Sequence, residues 1–271
     1  MRGVWEGLTS ALGYRLRQRL RWSPRFRPPR PRDFAEDRLR LTPAARVRAE
    51  ALRAAFPAVA AWSHRLHFGE WHEALYVLDS LLALRGESAS SIAAGLDVGS
   101  KNGIHLPALH AAWPGRWTLI ELDAHRRYGL GHTRRARAEA LLAAYPASRF
   151  LAGSVTELSP ADARFDVITW TLPFVFVEPL RAWGLPARFF QPAALLAHVL
   201  ALLASDGSLF IVNQGEAERD EQRRLLDAAG ARVEEVRALD SPLSPFRRPR
   251  FGLRVRAPSG GVAGRAASLA R

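Results

Sequence analysis

The sequence predicts an α/β protein: a doubly wound, mostly parallel seven-stranded sheet with helices on both faces, preceded by an N-terminal helical extension. Three observations predict it. From about residue 91, short segments rich in β-forming residues alternate with helical periodicity. A turn with two glycines follows the first of these segments. Hydrophobic residues make up 48% of the 271 residues, which is enough for a substantial core.

The elements of the alternating region follow in order along the chain. Predicted strands are Ile92–Val98, Trp117–Leu122, Arg149–Ala152, Phe165–Trp170, Ser208–Val212, Val233–Val236 and Phe251–Val255, with Ser205–Gly207 as the turn before the fifth. Predicted helices are Leu106–Ala112, Thr133–Ala144, Pro192–Ala204 and Glu216–Ala229.

Two segments precede this region. Residues 1–32 are read as a basic amphipathic helix, 4–21, followed by a Pro/Arg-rich linker. Residues 33–90 are read as a helical cap, residues 91–257 as the main domain and 258–271 as a disordered Gly/Ala/Ser-rich tail. One apolar face of the first helix is formed by Trp5, Leu8, Leu12, Leu16 and Leu20.

The net charge of +13 is concentrated at the N-terminal end. Residues 1–32 hold nine Arg and one acid, Glu6, a net of +8, and we weigh two uses of this arm. It either contacts RNA or an anionic membrane surface weakly, or packs on the protein with a solvated Arg face.

Other features of the composition limit the function classes. The absence of Cys excludes disulfides and thiolate sites and fits a cytoplasmic location. No apolar run approaches the ~20 residues of a spanning helix, so no transmembrane segment is expected. His64, His67 and His72 cluster, but no familiar ligand spacing completes a metal site, so none is expected.

The central motif is the segment 97–103, Asp-Val-Gly-Ser-Lys-Asn-Gly, between a strand and a helix. Gly99 and Gly103 leave room for a ligand near the backbone at the carboxyl edge of the sheet. A dinucleotide fingerprint requires glycine where Lys101 stands, so an NAD-dependent oxidoreductase is disfavoured. Asp97 favours a cationic, phosphate-free nucleoside ligand.

This segment resembles motif I of class I (Rossmann-like) S-adenosylmethionine-dependent methyltransferases, and the resemblance extends over residues 91–237. It implies that Glu121, 22 residues after Gly99, binds the ribose hydroxyls, with Asp123 as the fallback. Ser154 stands where the family has an acid near the adenine. The implied cofactor-binding residues are Asp97, Gly99, Ser100, Lys101, Gly103, Glu121, Leu122, Ser154, Val155 and Trp170.

The substrate side is less defined. The segment 171–174, Thr-Leu-Pro-Phe, is similar to the (N/D/S)-P-P-(Y/F) motif of amino-directed methyltransferases, but with Thr and Leu in its first two positions. Thr171, Pro173, Phe174 and Asn213 are therefore candidate substrate contacts, and residues 170–190 form either an aromatic lid or core packing. No catalytic residue is assigned, although His105, His125 and Glu216 are candidate general bases.

The resemblance implies transfer of a methyl group from S-adenosylmethionine to an unidentified small-molecule or macromolecular acceptor by in-line displacement. One alternative is a nucleic-acid methyltransferase that uses the Arg-rich arm. The other is a non-catalytic binding or membrane-peripheral module on the same fold. The nucleic-acid alternative rests also on Arg126, Arg127, Arg134, Arg135 and Arg137.

Overall fold

The computed structural model describes residues 2–24, 26–27, 29–86, 91–128 and 131–256, with side chains from residue 10 onward. The predicted disordered tail, 258–271, lies outside this range, so that expectation stays a prediction.

One sheet of seven strands organises the described chain, which confirms the predicted fold class. The strand order is β3-β2-β1-β4-β5-β7-β6; the first five strands are parallel and β7 runs antiparallel to both of its neighbours. The strands are β1 Ala94–Val98, β2 Arg116–Glu121, β3 Arg149–Ala152, β4 Phe165–Thr171, β5 Leu203–Gln214, β6 Arg232–Ala238 and β7 Arg250–Arg256.

The chain reverses its direction of travel across the sheet between β1 and β4. It proceeds from β1 outward to β3, then crosses back to place β4 on the other side of β1. Ligands of open α/β sheets bind outside the carboxyl ends of the strands at such a switch point. The fold therefore places the ends of β1 and β4, and the turn 97–103, at the expected ligand edge.

Helices cover both faces because alternate residues of the strands are apolar on each side. Leu119, Val167 and Phe210 pack with α4 and α5 on one face, and Ile168 and Ile211 pack with α8 and α9 on the other. The helices are α1 Arg2–Arg19, α2 Phe34–Arg38, α3 Pro43–Ala55, α4 Phe68–Arg85, α5 Leu106–Ala112, α6 Arg134–Leu142, α7 Val177–Ala182, α8 Pro192–Ala201 and α9 Gly215–Ala228.

The cap before the sheet consists of α2, α3, a 3-10 segment Pro57–His64 and α4. Asp33 and Thr42 are the N-caps of α2 and α3, accepting backbone hydrogen bonds of 2.7 and 3.3 Å, as their residue types favour. Buried Trp62 and Trp71 join this cap to the core under the sheet. The cap is thus continuous with the face that carries α4.

The fifth strand departs from the prediction. It begins at Leu203, and α8 ends at Ala201, whereas the sequence predicted a helix to Ala204 and a strand from Ser208. The segment predicted as a turn, Ser205–Gly207, is an irregularity within β5, since Phe165 pairs with Leu203 and Val167 with Ser208. A Cβ at Gly207 would lie 2.8 Å from the Phe165 carbonyl oxygen, so glycine is required there.

The helix α1 packs against the protein through the side that carries Tyr14, and its leucine side faces outward. Tyr14 is buried, whereas Leu12, Leu16 and Leu20 are 69%, 54% and 58% exposed. The helix thus packs on the protein with exposed arginines, as the packing interpretation predicted, but it does so through Tyr14 and Arg17 and not through these leucines. The predicted apolar stripe exists in its described part, and it faces outward.

Candidate functional site

A cavity of about 390 Å³ lies at the carboxyl edge of the sheet, within the range of ~300–1,000 Å³ typical of ligand pockets. The walls come from the ends of β1, β2 and β4 and from the segment after β4. Ten of the residues selected from sequence line it: Gly99, Lys101, Glu121, Leu122, Ser154, Val155, Trp170, Thr171, Pro173 and Phe174.

Four other selected residues do not line this cavity. Asp97 is buried behind the turn, where Oδ1 accepts a 2.8 Å hydrogen bond from Thr169. Ser100 is also buried. Gly103 serves packing, because a Cβ there would lie 3.2 Å from Ala138 and from Leu119. Asn213 is fully buried, and neither amide atom has a hydrogen-bond partner among the described residues.

Asp97 has an electrostatic environment unlike that of an ordinary surface carboxylate. Burial raises its pKa to about 6, against the lowering effects of nearby His105 and of the Thr169 hydrogen bond. The other carboxylate oxygen, Oδ2, has no partner in the described part of the chain. Asp97 therefore lies beneath the turn and does not line the cavity.

The turn 99–103 is shaped by left-handed backbone conformations. Gly99 has φ +69° and Lys101 has φ +52°, which is uncommon for a residue with a side chain. The Gly99 amide donates 2.9 Å to the carbonyl of Ile120. The Lys101 amide donates 2.8 Å to Oε2 of Glu121. These bonds tie the turn to the end of β2.

Glu121 is the centre of a hydrogen-bonded network. Its Oε1 accepts from the Asp123 amide at 2.9 Å and from Arg134 at 2.7 Å. With the Lys101 bond to Oε2, three of the roughly four acceptor positions of a carboxylate are used. Glu121 therefore has one acceptor position left for a ligand hydroxyl unless Arg134 moves away.

Ser154 and Val155 follow β3 and form another part of the wall. Ser154 is the N-cap of a 3-10 turn, Val155–Glu157, and its Oγ accepts from the Thr156 amide at 3.3 Å. Val155 is buried and presents an apolar surface. The site thus offers an apolar wall where the resemblance implied adenine.

The helix α1 reaches the rim of the same cavity. Arg17 binds both carboxylate oxygens of Asp123 at 3.0 Å, and it also donates 3.2 Å to the Gly184 carbonyl. The Tyr14 hydroxyl donates to the Leu122 carbonyl at 3.4 Å, and its ring packs edge-on against Phe189 at 5.1 Å. Asp123 is therefore tied to α1.

A second, smaller chamber of about 30 Å³ lies beyond Lys101, Thr171 and Leu172, which border both spaces. Inside it, Oε1 of Glu73 pairs with His105 at 3.1 Å and with Lys101 at 3.5 Å. Burial raises the pKa of Glu73, but His105 and Lys101 lower it more strongly, to about 2.

The three candidate bases differ in their positions. His105 is buried and paired with Glu73. His125 is buried, its pKa is lowered by burial, and its Nδ1 has no partner within the described chain. Glu216 is exposed at the start of α9. Of the three, His105 alone lines one of the two spaces.

Several contributors were missed by sequence reasoning. Glu73 lies 24 residues before the motif that begins at Asp97, and Arg17 belongs to the basic helix, for which no contact with the cavity rim was predicted. Arg250, at the start of β7, lines the smaller chamber. Arg134 was considered only as a nucleic-acid contact, although its place directly after the Thr133 N-cap puts it near the sheet edge. No local pattern marks these residues, because their roles depend on long-range packing.

The comparisons with known proteins bear on the fold. No family model matches the chain, and no curated protein matches it. Among solved structures, a SAM-dependent methyltransferase from Leishmania major superposes with a TM-score of 0.52 at 16% identity, covering 78% of this chain and 82% of that one. The [4+2]-cyclase SpnF superposes with a TM-score of 0.50 at 17% identity, covering 70% and 83%.

These likenesses show the class I S-adenosylmethionine-dependent methyltransferase fold. The neighbour named as a cyclase illustrates that this fold does not by itself fix the reaction. Within the described residues, no helix is long and apolar enough to cross a membrane. The same part of the chain contains no cluster of His, Asp or Glu suited to a metal ion.

Proposed function

We propose that this chain is an S-adenosylmethionine-dependent methyltransferase. One observation carries the proposal: Glu121 lies at the wall of a 390 Å³ cavity at the switch point, with an acceptor position still available. The position of this carboxylate at the end of β2 matches the ribose-binding acid that the resemblance implied. The acceptor of the methyl group is not identified.

The residues present fit this cofactor. Glu121 would accept a ribose hydroxyl, and Val155 and Leu196 would form apolar walls for a nucleobase. A side chain at position 99 would project into open space, and Gly99 leaves that space to a ligand. When bound, the cofactor supplies an electrophilic methyl group.

The chain's own contribution to the reaction is orientation and exclusion of water. The turn 99–103 and Glu121 are fixed by mutual hydrogen bonds, so little reorganisation is needed on binding. Thr171, Pro173 and Phe174 line the side nearest β4 and would direct the acceptor toward the methyl group.

The direct test is calorimetric titration of S-adenosylmethionine into the wild type and into Glu121→Ala. We expect binding that weakens tenfold or more in the variant, a loss of about 1.4 kcal/mol. Glu139→Ala is the matched control, since Glu139 is an exposed acid on α6. If the wild type binds neither this cofactor nor nicotinamide cofactors, the chain is the non-catalytic module instead.

We further propose that α1 attaches the protein to an anionic membrane surface. The exposed Leu12, Leu16 and Leu20 lie four residues apart on one side, and Trp22, 70% exposed, follows them. Arg15, Arg19 and Arg21 are exposed beside these residues. Outward apolar side chains flanked by arginines are typical of helices that lie in the bilayer interface.

Nucleic acid fits this surface less well. Leucine side chains give no contact to phosphates, and outside the arm the arginines proposed for RNA or DNA, residues 126–137, are engaged in contacts with other residues of the protein. Arg134 and Arg137 pair with Glu121 and Glu70 at 2.7 Å each. Arg135 pairs with Glu139 at 2.7 Å, Arg127 donates 2.6 Å to the Trp22 carbonyl, and Arg126 donates to the Trp183 carbonyl.

Liposome co-sedimentation tests the surface. We expect the wild type to bind vesicles that contain phosphatidylserine, and the triple variant Leu12→Ser/Leu16→Ser/Leu20→Ser to remain in solution. Val47→Ser is the control, because Val47 is an equally exposed apolar residue on α3. Failure of the wild type to bind vesicles, together with salt-sensitive binding to RNA, would favour the nucleic-acid alternative.

A further inference from the structure

The second chamber contains a buried arginine without a partner. Arg250 is 7% exposed and lies at the start of β7, between α4 and the β6–β7 connection, residues 239–249. Its Nε and Nη1 atoms are enclosed and form no hydrogen bond with any residue that the structure describes. Its guanidinium lies over the Phe246 ring, 4.3 Å from the ring centre, in a cation–π contact.

Such an arrangement is costly for a protein without a ligand. A buried charge is normally paired, because removal from water is unfavourable unless an opposite charge or several hydrogen bonds replace the water. No carboxylate of the described chain lies within ion-pair distance of Arg250. Burial accordingly lowers the pKa of Arg250, although Tyr76, Glu218 and Glu73 act in the opposite direction. The carboxylates of Glu73 and Glu218 therefore act on Arg250 from a distance and do not pair with it directly.

The charges around the chamber indicate which kind of anionic ligand would pair with Arg250. Two cations, Lys101 and Arg250, face one carboxylate, Glu73, which also pairs with His105, so positive charge predominates on the wall. Tyr76 and Phe246 contribute aromatic surface, with their rings 5.4 Å apart. One negative charge at the end of an apolar body matches this wall.

The size of the chamber restricts the anion further. Its volume is about 30 Å³, so the chamber favours a small anionic group. A planar carboxylate is smaller than a phosphate, and a guanidinium binds it through two neighbouring donors. A tetrahedral phosphate is larger and carries a higher charge.

The chamber and the cofactor cavity meet at a strained wall. Lys101 and Leu172, with φ of +52° and +57°, are the two non-glycine residues with left-handed backbone in the described chain. Both border both spaces, at the ends of β1 and β4. Strained conformations of this kind cluster at functional sites. The chamber and the cofactor cavity therefore share part of their lining at Lys101, Thr171 and Leu172.

We propose that this chamber binds the carboxylate of the methyl acceptor, so that the substrate class is small carboxylic acids with an apolar or aromatic body. The inference rests on the proposed function, because it assigns the acceptor of the same reaction. Arg250 binds the carboxylate, and the body of the acceptor lies along residues 171–174, which border the cofactor cavity.

Acetate is the probe, with acetamide as its neutral isostere, and thermal unfolding is the measurement. At constant ionic strength set with chloride, we expect acetate to raise the Tm of the wild type and of the control Arg247→Gln, and not that of Arg250→Gln. Arg247 is an exposed arginine on the same connection. Acetamide should change none of the three. Equal stabilisation of the wild type and Arg250→Gln by acetate would overturn the proposal.

A stronger effect of inorganic phosphate than of acetate, lost in Arg250→Gln, would also overturn the assignment of a carboxylate. A second readout separates ligand binding from a structural role. Without any ligand, Arg250→Gln should unfold at the same temperature as the wild type or higher, because it removes an unpaired buried charge. A large decrease in Tm would show that Arg250 stabilises the fold instead.

The two proposals fail separately. Calorimetry with S-adenosylmethionine should give the same Kd for wild type, Arg250→Gln and Arg247→Gln. If none of the three binds the cofactor, the proposed function is wrong whatever acetate does. If all three bind it and acetate has no effect that depends on Arg250, the acceptor inference alone is wrong.

Discussion

The two sides of the wall at Lys101 and Leu172 differ in how their charges are satisfied. On the cofactor side, Glu121 pairs with Arg134 and Asp123 pairs with Arg17. On the other side, Arg250 is buried without a directly paired counterion in the described chain, and its chamber is small, about 30 Å³. The charged groups on the cofactor side are paired before a ligand binds. On the chamber side, we propose that the ligand supplies the negative charge that pairs with Arg250.

Under the two proposals, this difference separates the site of the cofactor from the site of the acceptor. A site that is fixed by internal ion pairs binds its ligand with little reorganisation, because its side chains are already ordered in the folded protein. A site with an unpaired cation discriminates by charge, because an uncharged analogue leaves the cation buried and unpaired.

Arg134→Met removes the buried ion pair with Glu121 on the cofactor side. It leaves the buried Glu121 carboxylate without its counterion, so we expect the free energy of unfolding to fall by about 3 kcal/mol. Urea denaturation measures this change. Arg135→Met is the control; the adjacent arginine forms an exposed pair with Glu139, worth at most about 0.5 kcal/mol. Equal losses in both variants would mean that the Glu121 pair is not buried in solution.

Two carboxylates near His105 have opposite effects on the pH dependence of stability. Asp97 has a native pKa of about 6 against an ordinary value of 3.8, so the native state retains a proton that the unfolded state loses. Stability from this group therefore falls as pH rises from about 4 to about 6, by roughly 3 kcal/mol. Asp97→Asn should remove this fall, and the variant should gain on the wild type over that interval.

Glu73 behaves in the opposite sense. Its native pKa of about 2 lies below the ordinary 4.5, so its contribution is fully present above about pH 4.5 and is lost as pH falls toward 2. Glu73→Gln should destabilise the protein by roughly 3 kcal/mol at pH 7 and progressively less in acid. Urea unfolding at pH values from 3 to 7.5 checks both carboxylates. Parallel curves for variant and wild type would contradict the assigned shifts.

Arg17→Ala separates α1 from the cofactor side. Asp123 loses its bidentate partner, and its amide is bonded to Glu121, so we expect the Kd of S-adenosylmethionine to rise about fivefold, roughly 1 kcal/mol. Calorimetry measures the change. Arg15→Ala, which removes an exposed arginine two residues away on the same helix, should leave the Kd unchanged. The same Kd for Arg17→Ala and the wild type would show that α1 does not influence the cavity.

Leu16→Gln changes a residue that lines neither the cofactor cavity nor the chamber. Leu16 is exposed, so the free energy of unfolding should change by less than about 0.5 kcal/mol, as measured by urea denaturation. Leu180→Gln is the contrasting variant, because Leu180 is buried under Tyr14. A loss of several kcal/mol for Leu16→Gln would mean that this leucine is covered by the protein in solution.

Local sequence signals predicted the elements of the sheet and most of the cavity wall. The turn 97–103 and Glu121 could be recognised because strand, turn and acid are close in sequence and have fixed spacing. Arg17 and Arg250 could not be, since each acquires its role from segments more than 70 residues away. The outward direction of Leu12 and Leu16 was also beyond sequence, because periodicity defines a face and not what covers it.

The docking of α1 also has a consequence for synthesis. The helix leaves the ribosome early, yet the Gly184 carbonyl that Arg17 contacts is 167 residues further along the chain. At about 5–20 residues per second, this interval lasts roughly 8 to 33 seconds. During that time both the leucines and the side of Tyr14 are uncovered, so the nascent helix can meet a bilayer before the sheet that it docks on has formed.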